Sequence, residues 1–168
     1  MEGHQEHKAG APSSIGCMVI TCSDTRTVQT DTSGAAIIDL LKARGHHVAA
    51  YHVIKDEPSV ITGLIRQGAK DPAVQAIVIN GGTGISRRDS TFEAVDALLE
   101  KRLEGFGEIF RYLSFKDIGS AAIMSRATAG LYQNRIIISI PGSEKAVRLA
   151  MDKLILNELS HMVREMTK

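Results

Sequence analysis

A glycine loop with charged neighbours is the segment of this chain best suited to chemistry. A β-branched stretch at residues 76–80 runs into a glycine-rich turn at residues 81–84, and Arg87, Arg88 and Asp89 follow. Glycines let the backbone approach a phosphate closely, and the amino end of a following helix favours an anion. Arginines can neutralise phosphate charge, and a carboxylate beside them could bind a metal ion. We therefore expect this loop to present its N–H groups to an anionic ligand.

The loop sequence alone is only moderately specific. Its residues are Gly81, Gly82, Thr83 and Gly84. They match neither the P-loop, which requires Gly-Lys-Ser/Thr, nor the G-x-G-x-x-G dinucleotide fingerprint. A tight turn would explain the glycines, and a solvated basic pair would explain the arginines. Thr83 and the charged neighbours together favour a nucleotide or phosphate site.

Two aspartates are candidate magnesium ligands. Asp56 and Asp89 each precede a predicted helix, and their loops follow neighbouring strands. Mg²⁺ accepts such carboxylates together with waters and substrate phosphates. Each aspartate could instead cap its helix or interact with the helix dipole. The residues by themselves leave both roles open.

The first loop is long and polar for its position, which suits a ligand. Its candidate nucleotide or phosphate contacts are Ser23, Asp31 and Ser33. Asp31 and Ser33 would also explain the start of the following helix, because Asp and Ser are favoured N-caps.

A second anion site is predicted where the last apolar strand ends and the last helix begins. The residues there are Pro141, Gly142 and Ser143, and the preceding segment could add Ser120, Ser125 and Arg126. Ordinary helix capping is the alternative explanation.

Strand and helix patterns alternate along the chain, which predicts the fold. We expect strands at residues 15–21, 47–54, 74–79, 127–132 and 135–140, with a long helix after Ser143. Helices separate these strands, except that the last two are joined directly at residues 133–134. The pattern S-x-x-E at Ser90 and Glu93 predicts a capping box for a helix over residues 91–102. Such alternation indicates a single three-layer α/β/α domain with a mostly parallel sheet, over residues 15–168. Ligands then bind outside the carboxyl ends of the strands.

Composition narrows the class of protein. The chain has 168 residues and a net charge of +1, which argues against a general nucleic-acid binder. It has no apolar run near the roughly 20 residues that span a bilayer, and no signal peptide pattern. Cys17 and Cys22 should lie on opposite faces of one strand, unpaired, as expected in a reducing cytoplasm. Residues 1–14 are polar and aperiodic, which predicts a disordered tail.

Six motifs in a fixed order carry a family resemblance. They are DTSG at 31–34, KDE at 55–57, GGTG at 81–84 with Asp89, EGFGE at 104–108, SR at 125–126 and PGS at 141–143. Together they closely resemble the molybdopterin-binding MoaB/Mog family of molybdenum cofactor biosynthesis. The resemblance covers roughly residues 15–165, and the ordered set is far more specific than any single motif.

The resemblance implies a molybdopterin adenylyltransferase, with the molybdopterin-binding fold. Such an enzyme uses Mg²⁺ and ATP to attach AMP to the phosphate of molybdopterin, and it releases pyrophosphate. The family's two important carboxylates match Asp56 and Asp89, which would hold Mg²⁺ and ATP. The glycine loop would line the nucleotide, and the residues around Ser120, Arg126 and Ser143 would contact the pterin.

Other functions on the same fold stay open at this point. One is a non-catalytic pterin-binding or scaffold protein of the pathway, and a second is a nucleotide-handling hydrolase. The resemblance also implies a homotrimer or hexamer, with other molybdenum cofactor biosynthesis proteins as further partners. Phe106, Phe110 and Leu113 share one predicted helix face, which is either an interface or part of the core.

Overall fold

A six-stranded sheet forms the centre of the computed structural model, which describes residues 11–168. Its strands are β1 (Gly16–Cys22), β2 (His47–Ile54), β3 (Ala76–Asn80), β4 (Lys101–Arg102), β5 (Thr128–Tyr132) and β6 (Arg135–Ile140). They lie in the order β2-β1-β3-β6-β5-β4. The first four are parallel, whereas β5 is antiparallel to β6 and β4 is antiparallel to β5. The predicted mostly parallel sheet is confirmed.

Helices cover both faces of this sheet. They are α1 (Thr32–Ala43), α2 (Pro58–Lys70), α3 (Thr91–Asp96), α4 (Glu104–Ile118), α5 (Glu144–Ala150) and α6 (Leu156–Met166). A 3-10 turn (Gly119–Met124) follows α4, and a π-helical turn (Met151–Ile155) joins α5 to α6. The predicted long final helix is therefore present, with one wide turn inside it. Helices α1, α4, α5 and α6 pack on one face, and α2 and α3 pack on the other.

The two faces of the sheet are both apolar, as buried parallel strands require. In β3, Val78 faces the α1 side, whereas Ile77 and Ile79 face the α2 side, and all three are fully buried. Cys17 and Cys22 likewise belong to opposite cores and are unpaired, as predicted. Burial raises the pKa of each thiol to about 12, so both stay protonated at neutral pH.

The predicted helix over residues 91–102 is wrong in its second half. Helix α3 ends at Asp96, and Lys101 and Arg102 form the edge strand β4. Backbone hydrogen bonds to β5 hold this edge, since the Glu100 and Leu103 N–H groups each donate at 2.8 Å to a β5 carbonyl. The Arg102 guanidinium also pairs with Asp96 at 2.9 Å. These interactions stabilise the strand conformation of residues 101–102 more than a continued helix would.

The predicted capping box at α3 is also wrong. The Ser90 hydroxyl donates to the Asp56 carboxylate at 2.6 Å instead of capping its own helix, and Glu93 pairs with Arg126. The predicted caps at Asp31 and Ser143 are confirmed. Asp31 accepts from the Gly34 N–H at 3.0 Å, and Ser143 accepts from the Ala146 N–H at 3.3 Å.

The apolar face of α4 turns out to be largely core. Phe110 is fully buried and Phe106 packs against the same cluster, which is one of the two explanations that the sequence left open. The outward face of α4 exposes Ile109, Tyr112 and Phe115. Self-association stays a prediction.

The remaining predictions concern the chain ends and membranes. Residues 1–10 of the predicted disordered tail lie outside the described residues, and residues 11–14 form no helix or strand. Between residues 11 and 168 there is no helix with the length and apolarity needed to cross a membrane.

A buried histidine follows the end of α1 and should make stability depend on pH. The His46 Nδ1 atom accepts the Ile15 N–H at 3.1 Å, which only an unprotonated ring can do. Burial, with the nearby charges of Arg44 and His47, lowers the pKa of His46. The unfolded chain therefore binds a proton more readily, and this contribution to stability is lost as pH falls below about 6.5.

We expect His46→Gln to show a flatter dependence of stability on pH than the parent protein. Glutamine can still offer an oxygen to the Ile15 N–H but does not titrate. The measurement is urea unfolding at several pH values between pH 8 and 5. If the free energy of unfolding changes with pH equally in the two proteins, His46 does not contribute to the pH dependence of stability.

Candidate functional site

A cleft of about 460 Å³ lies where the loops after β1, β3 and β6 meet. This is the carboxyl edge of the parallel strands, as the sequence predicted. The walls come from four stretches: Cys22, Ser23, Thr25 and Arg26; the glycine loop at residues 81–84 with Asp89; Ala121, Met124 and Ser125; and Pro141 with Gly142. Of the predicted ligand-binding residues, nine line this cleft: Ser23, Gly81, Gly82, Thr83, Gly84, Asp89, Ser125, Pro141 and Gly142.

The glycine loop needs its glycines for conformation and for space. Gly81 and Gly82 have φ values of +98° and +61°, which side chains rarely adopt. A Cβ at Gly81 would lie 2.1 Å from the Cys22 carbonyl oxygen, and one at Gly82 would lie 2.2 Å from the Asp56 carboxylate. The loop is thereby folded tightly onto β1 and onto Asp56.

Several loop N–H groups have no hydrogen-bond partner among the described residues. Among residues 11–168, no atom accepts a hydrogen bond from the N–H groups of Gly82, Thr83, Gly84 or Ile85. Thr83 itself is buried, and the loop lines the cleft. A set of unpaired N–H groups beside a cleft is suited to binding phosphate oxygens.

Asp89 lines the cleft and uses only one of its carboxylate oxygens within the described residues. Its Oδ2 atom accepts the Ser86 hydroxyl at 2.5 Å and the Ser86 N–H at 3.3 Å. Its Oδ1 atom receives no hydrogen bond from the described part of the chain. Asp89 does not cap α3, so the capping explanation for this residue is wrong.

Asp56 lies behind the glycine loop rather than in the cleft wall. It is 5% exposed, and its Oδ1 atom accepts from the Ser90 hydroxyl at 2.6 Å, the Ser90 N–H at 3.2 Å and the Thr91 hydroxyl at 3.1 Å. Asp56 thus stabilises the start of α3 from a different loop. The structure brings both aspartates to one loop, with Asp89 inside it and Asp56 holding its end.

Asp31 and Ser33 form a support beneath the cleft. Asp31 accepts the Tyr51 hydroxyl at 2.6 Å, and Ser33 donates its hydroxyl to the Gly142 carbonyl at 2.8 Å. Burial raises the pKa of Asp31, and hydrogen bonds from Thr21, Tyr51 and Gly34 lower it. The hydrogen bonds together have the larger effect, so the pKa of Asp31 lies below its ordinary value. Neither residue lines the cleft. Together they tie the β6–α5 loop to α1 and β2.

Arg26 is a candidate site residue that sequence reasoning missed. It lines the cleft, and its Nη1 atom donates to the Gly142 carbonyl at 3.0 Å and lies 3.5 Å from Asp31 Oδ1. Its Nε and Nη2 atoms have no protein acceptor between residues 11 and 168. They can therefore donate to an anion. Its position in the long polar loop was the available signal, but its partner Gly142 is distant in sequence.

The arginines of the glycine loop itself are placed differently from the sequence prediction. Arg88 donates to Asp24 at 2.6 and 2.7 Å and pairs with Glu57 at 3.0 Å. This pairing raises the pKa of Arg88 and lowers that of Asp24. Arg87 is exposed and does not line the cleft. Phosphate charge in the cleft would meet Arg26 instead.

Three of the predicted pterin contacts are not part of the cleft wall. Ser120 is exposed on the 3-10 turn, Ser143 caps α5, and Arg126 donates to the carbonyls of Thr83 and Gly84 at 2.8 and 2.6 Å. Ser120 and Ser143 adjoin wall residues in sequence, whereas Arg126 contacts the glycine loop directly.

The described residues contain no preformed metal cluster. Over residues 11–168, no three His, Cys, Asp or Glu side chains gather in a way that could hold a metal ion. A metal at this cleft would depend on Asp89 and on oxygens of a bound phosphate. That donor set is the one that Mg²⁺ accepts and that softer metals do not prefer.

Comparison with known proteins decides the family. A domain model described as "Probable molybdopterin binding domain" matches residues 18–161. The chain belongs to this molybdopterin-binding family. It is 54% identical over 165 residues to "Molybdenum cofactor biosynthesis protein B" of Bacillus subtilis, covering 98% of this chain and 97% of that protein. It is also 45% identical to the protein of the same name from Staphylococcus aureus, over the full length of both.

Solved structures of family members share the fold. A crystal structure of "Molybdenum cofactor biosynthesis protein B" superposes with a TM-score of 0.91 at 47% identity, covering 94% of this chain and 98% of that chain. The "tungsten cofactor synthesizing protein MoaB" from Pyrococcus furiosus gives a TM-score of 0.84 at 33% identity, covering 94% and 100%. The resemblance predicted from the ordered motifs is thus confirmed, and with it a place in the molybdenum cofactor biosynthesis family.

Proposed function

We propose that this molybdopterin-binding family member transfers AMP from ATP to the phosphate of molybdopterin and releases pyrophosphate. The proposal rests on the composition of the cleft. In the described part of the chain, its wall brings together the unpaired N–H groups of the glycine loop, Asp89 with its unbonded Oδ1 atom, and Arg26 with its unbonded Nε and Nη2 atoms. These groups suit a triphosphate with a divalent cation better than a neutral ligand.

Asp89 fits a magnesium ligand. Its Oδ1 atom is free of protein donors within residues 11–168, and Mg²⁺ usually binds one or two carboxylates plus substrate phosphates. A bound Mg²⁺ would neutralise phosphate charge and make the α-phosphorus more electrophilic. Asp56 would act from behind, because its hydrogen bonds to Ser90 and Thr91 fix the loop that carries Asp89.

The reaction requires no protein nucleophile. An oxygen of the molybdopterin phosphate would form a bond to the α-phosphorus, and the bond from that phosphorus to the pyrophosphate oxygen would break. Cys22 lines the cleft, but its pKa of about 12 keeps the thiol protonated. The contribution of the chain is therefore to position two anions and to stabilise their charge through the loop N–H groups and Arg26.

The pterin would occupy the opposite wall of the cleft. Ser125, Pro141 and Gly142 supply polar and backbone groups there, and Ala121 and Met124 supply apolar surface. A planar heterocycle with a polar edge needs such a mixed wall. Placing the two substrates on opposite walls brings the pterin phosphate towards the glycine loop.

The direct test is to incubate the purified protein with molybdopterin, Mg²⁺ and ATP. We expect adenylyl-molybdopterin and one equivalent of pyrophosphate, and neither product after chelation with EDTA. Pterin binding without pyrophosphate release would instead identify a non-catalytic binding or scaffold protein. ATP consumption in the absence of pterin would identify a hydrolase.

A further inference from the structure

We propose that Arg126 is a positioning residue that shapes the glycine loop for phosphate binding and does not itself contact the pterin. The physical claim concerns the ligand-free protein. Its kinetic consequence rests on the proposed function.

Each of the three guanidinium nitrogens of Arg126 already has an acceptor in the protein. Nε donates to the Thr83 carbonyl at 2.8 Å, Nη2 donates to the Gly84 carbonyl at 2.6 Å, and Nη1 pairs with Glu93. The guanidinium carbon also lies 4.6 Å from the centre of the Phe92 ring. The Arg126 side chain is 25% exposed. A phosphate could bind Nε or Nη2 only by displacing a contact that these atoms already make, in each case with a carbonyl of the loop.

The two carbonyl contacts also fix the direction of two backbone N–H groups of the loop. A trans peptide is planar, and its N–H points opposite to its C=O. Since Arg126 holds the Thr83 carbonyl, the Gly84 N–H must point away from Arg126. The Ile85 N–H must do so too, because Arg126 holds the Gly84 carbonyl. These are two of the N–H groups that find no acceptor in the described structure.

Contacts from outside the loop are needed to fix its conformation, because its glycines and exposed residues restrain it weakly. Glycines have the most backbone freedom to lose, and Gly81 and Gly82 sit at positive φ. Residues 85–88, which follow, are exposed. Asp56 secures the far end through Ser90. Arg126 secures the middle from a position two residues before β5, so the loop is held at both places by residues that adjoin strands of the sheet.

Glu93 provides a matched control, because it accepts from Nη1 and, at 3.4 Å, from Nη2 of the same guanidinium, whereas the two carbonyl contacts with the loop belong to Arg126 alone. Hydrogen bonding to Arg126 lowers the pKa of Glu93, whose side chain is largely exposed. Glu93→Gln removes the ion pair and leaves both carbonyl contacts in place. Arg126→Lys keeps the positive charge and the aliphatic stem but cannot span two carbonyls, because an ammonium lacks the planar fork.

The first measurement is amide hydrogen exchange, in the ligand-free protein, of the hydrogen-bonded N–H groups in and beside the loop, those of Gly81, Asp89 and Thr91. We expect exchange to be about tenfold or more faster in Arg126→Lys, and within about threefold of the parent in Glu93→Gln. Arg126→Gln, which loses both the fork and the charge, should exchange at least as fast as Arg126→Lys, and it serves if Arg126→Lys does not fold. Unchanged exchange in folded Arg126→Lys or Arg126→Gln would overturn the proposal.

The second measurement is steady-state AMP transfer. We expect KM for ATP to rise about tenfold in Arg126→Lys, with KM for molybdopterin within about twofold of the parent. The reverse split would show that Arg126 contacts the pterin and would overturn the proposal. If the parent protein transfers no AMP, the proposed function fails, and the exchange experiment alone still decides whether Arg126 braces the loop.

Discussion

Asp89→Asn should reduce AMP transfer by about a hundredfold or more without unfolding the protein, since catalytic metals supply several kcal/mol to such reactions. Asparagine keeps the size of the side chain, and its oxygen can still accept from the Ser86 hydroxyl and N–H. What it loses is the negative charge of a side chain that lines the cleft. The measurements are turnover, molybdopterin binding and urea unfolding on one preparation. Pterin binding and stability should stay close to the parent values.

Asp56→Asn is the informative comparison. The family resemblance implies that both aspartates hold the same Mg²⁺, in which case both substitutions would behave alike. In the structure, the Asp56 carboxylate accepts hydrogen bonds from Ser90 and Thr91 at the start of α3. Its replacement should therefore cost stability as well as turnover, by about 1–3 kcal/mol, because buried donors would lose part of their acceptor. Normal AMP transfer by folded Asp89→Asn would remove the catalytic assignment of that carboxylate.

The fold was largely predictable because its strands are apolar on both faces. The runs that became β1, β3 and β6 have few alternatives to a buried parallel strand. Pro58 and Asp31 mark helix starts through strictly local chemistry. The edge strand β4 could not be found this way. Its two residues are charged, and their strand conformation comes from pairing with β5, about thirty residues later.

The candidate site was predictable only where its chemistry is local. The glycine loop and Asp89 are adjacent in sequence, and the structure places them together in the cleft wall. Arg26 was missed because the contact that orients it, with Gly142, joins residues 116 positions apart. Arg126 was recognised as important but given a pterin-binding role, because no sequence pattern shows that it reaches Thr83 and Gly84. Long-range side-chain contacts to backbone carbonyls leave no periodic trace.

Two glycine substitutions should change stability in opposite directions. At Gly81, φ is +98° and a Cβ would lie 2.1 Å from the Cys22 carbonyl oxygen, which belongs to β1. Gly81→Ala should therefore destabilise the protein by about 2–6 kcal/mol, combining backbone strain with a clash that only the backbone of β1 could relieve. Gly63 lies in α2, and a Cβ there meets nothing within 4 Å among the described residues. Gly63→Ala should stabilise by about 0.5–1 kcal/mol.

Urea unfolding of the two variants separates a conformational requirement from a general intolerance of alanine. If Gly81→Ala is as stable as the parent protein, the loop can leave its positive φ without cost, and the close approach of β1 to the cleft is not needed for folding. If it is destabilised and Gly63→Ala is stabilised, the glycine at position 81 is fixed by geometry. In that case packing against β1 fixes the first turn of the loop before any ligand arrives, and the contacts of Arg126 are needed only for the loop residues that follow.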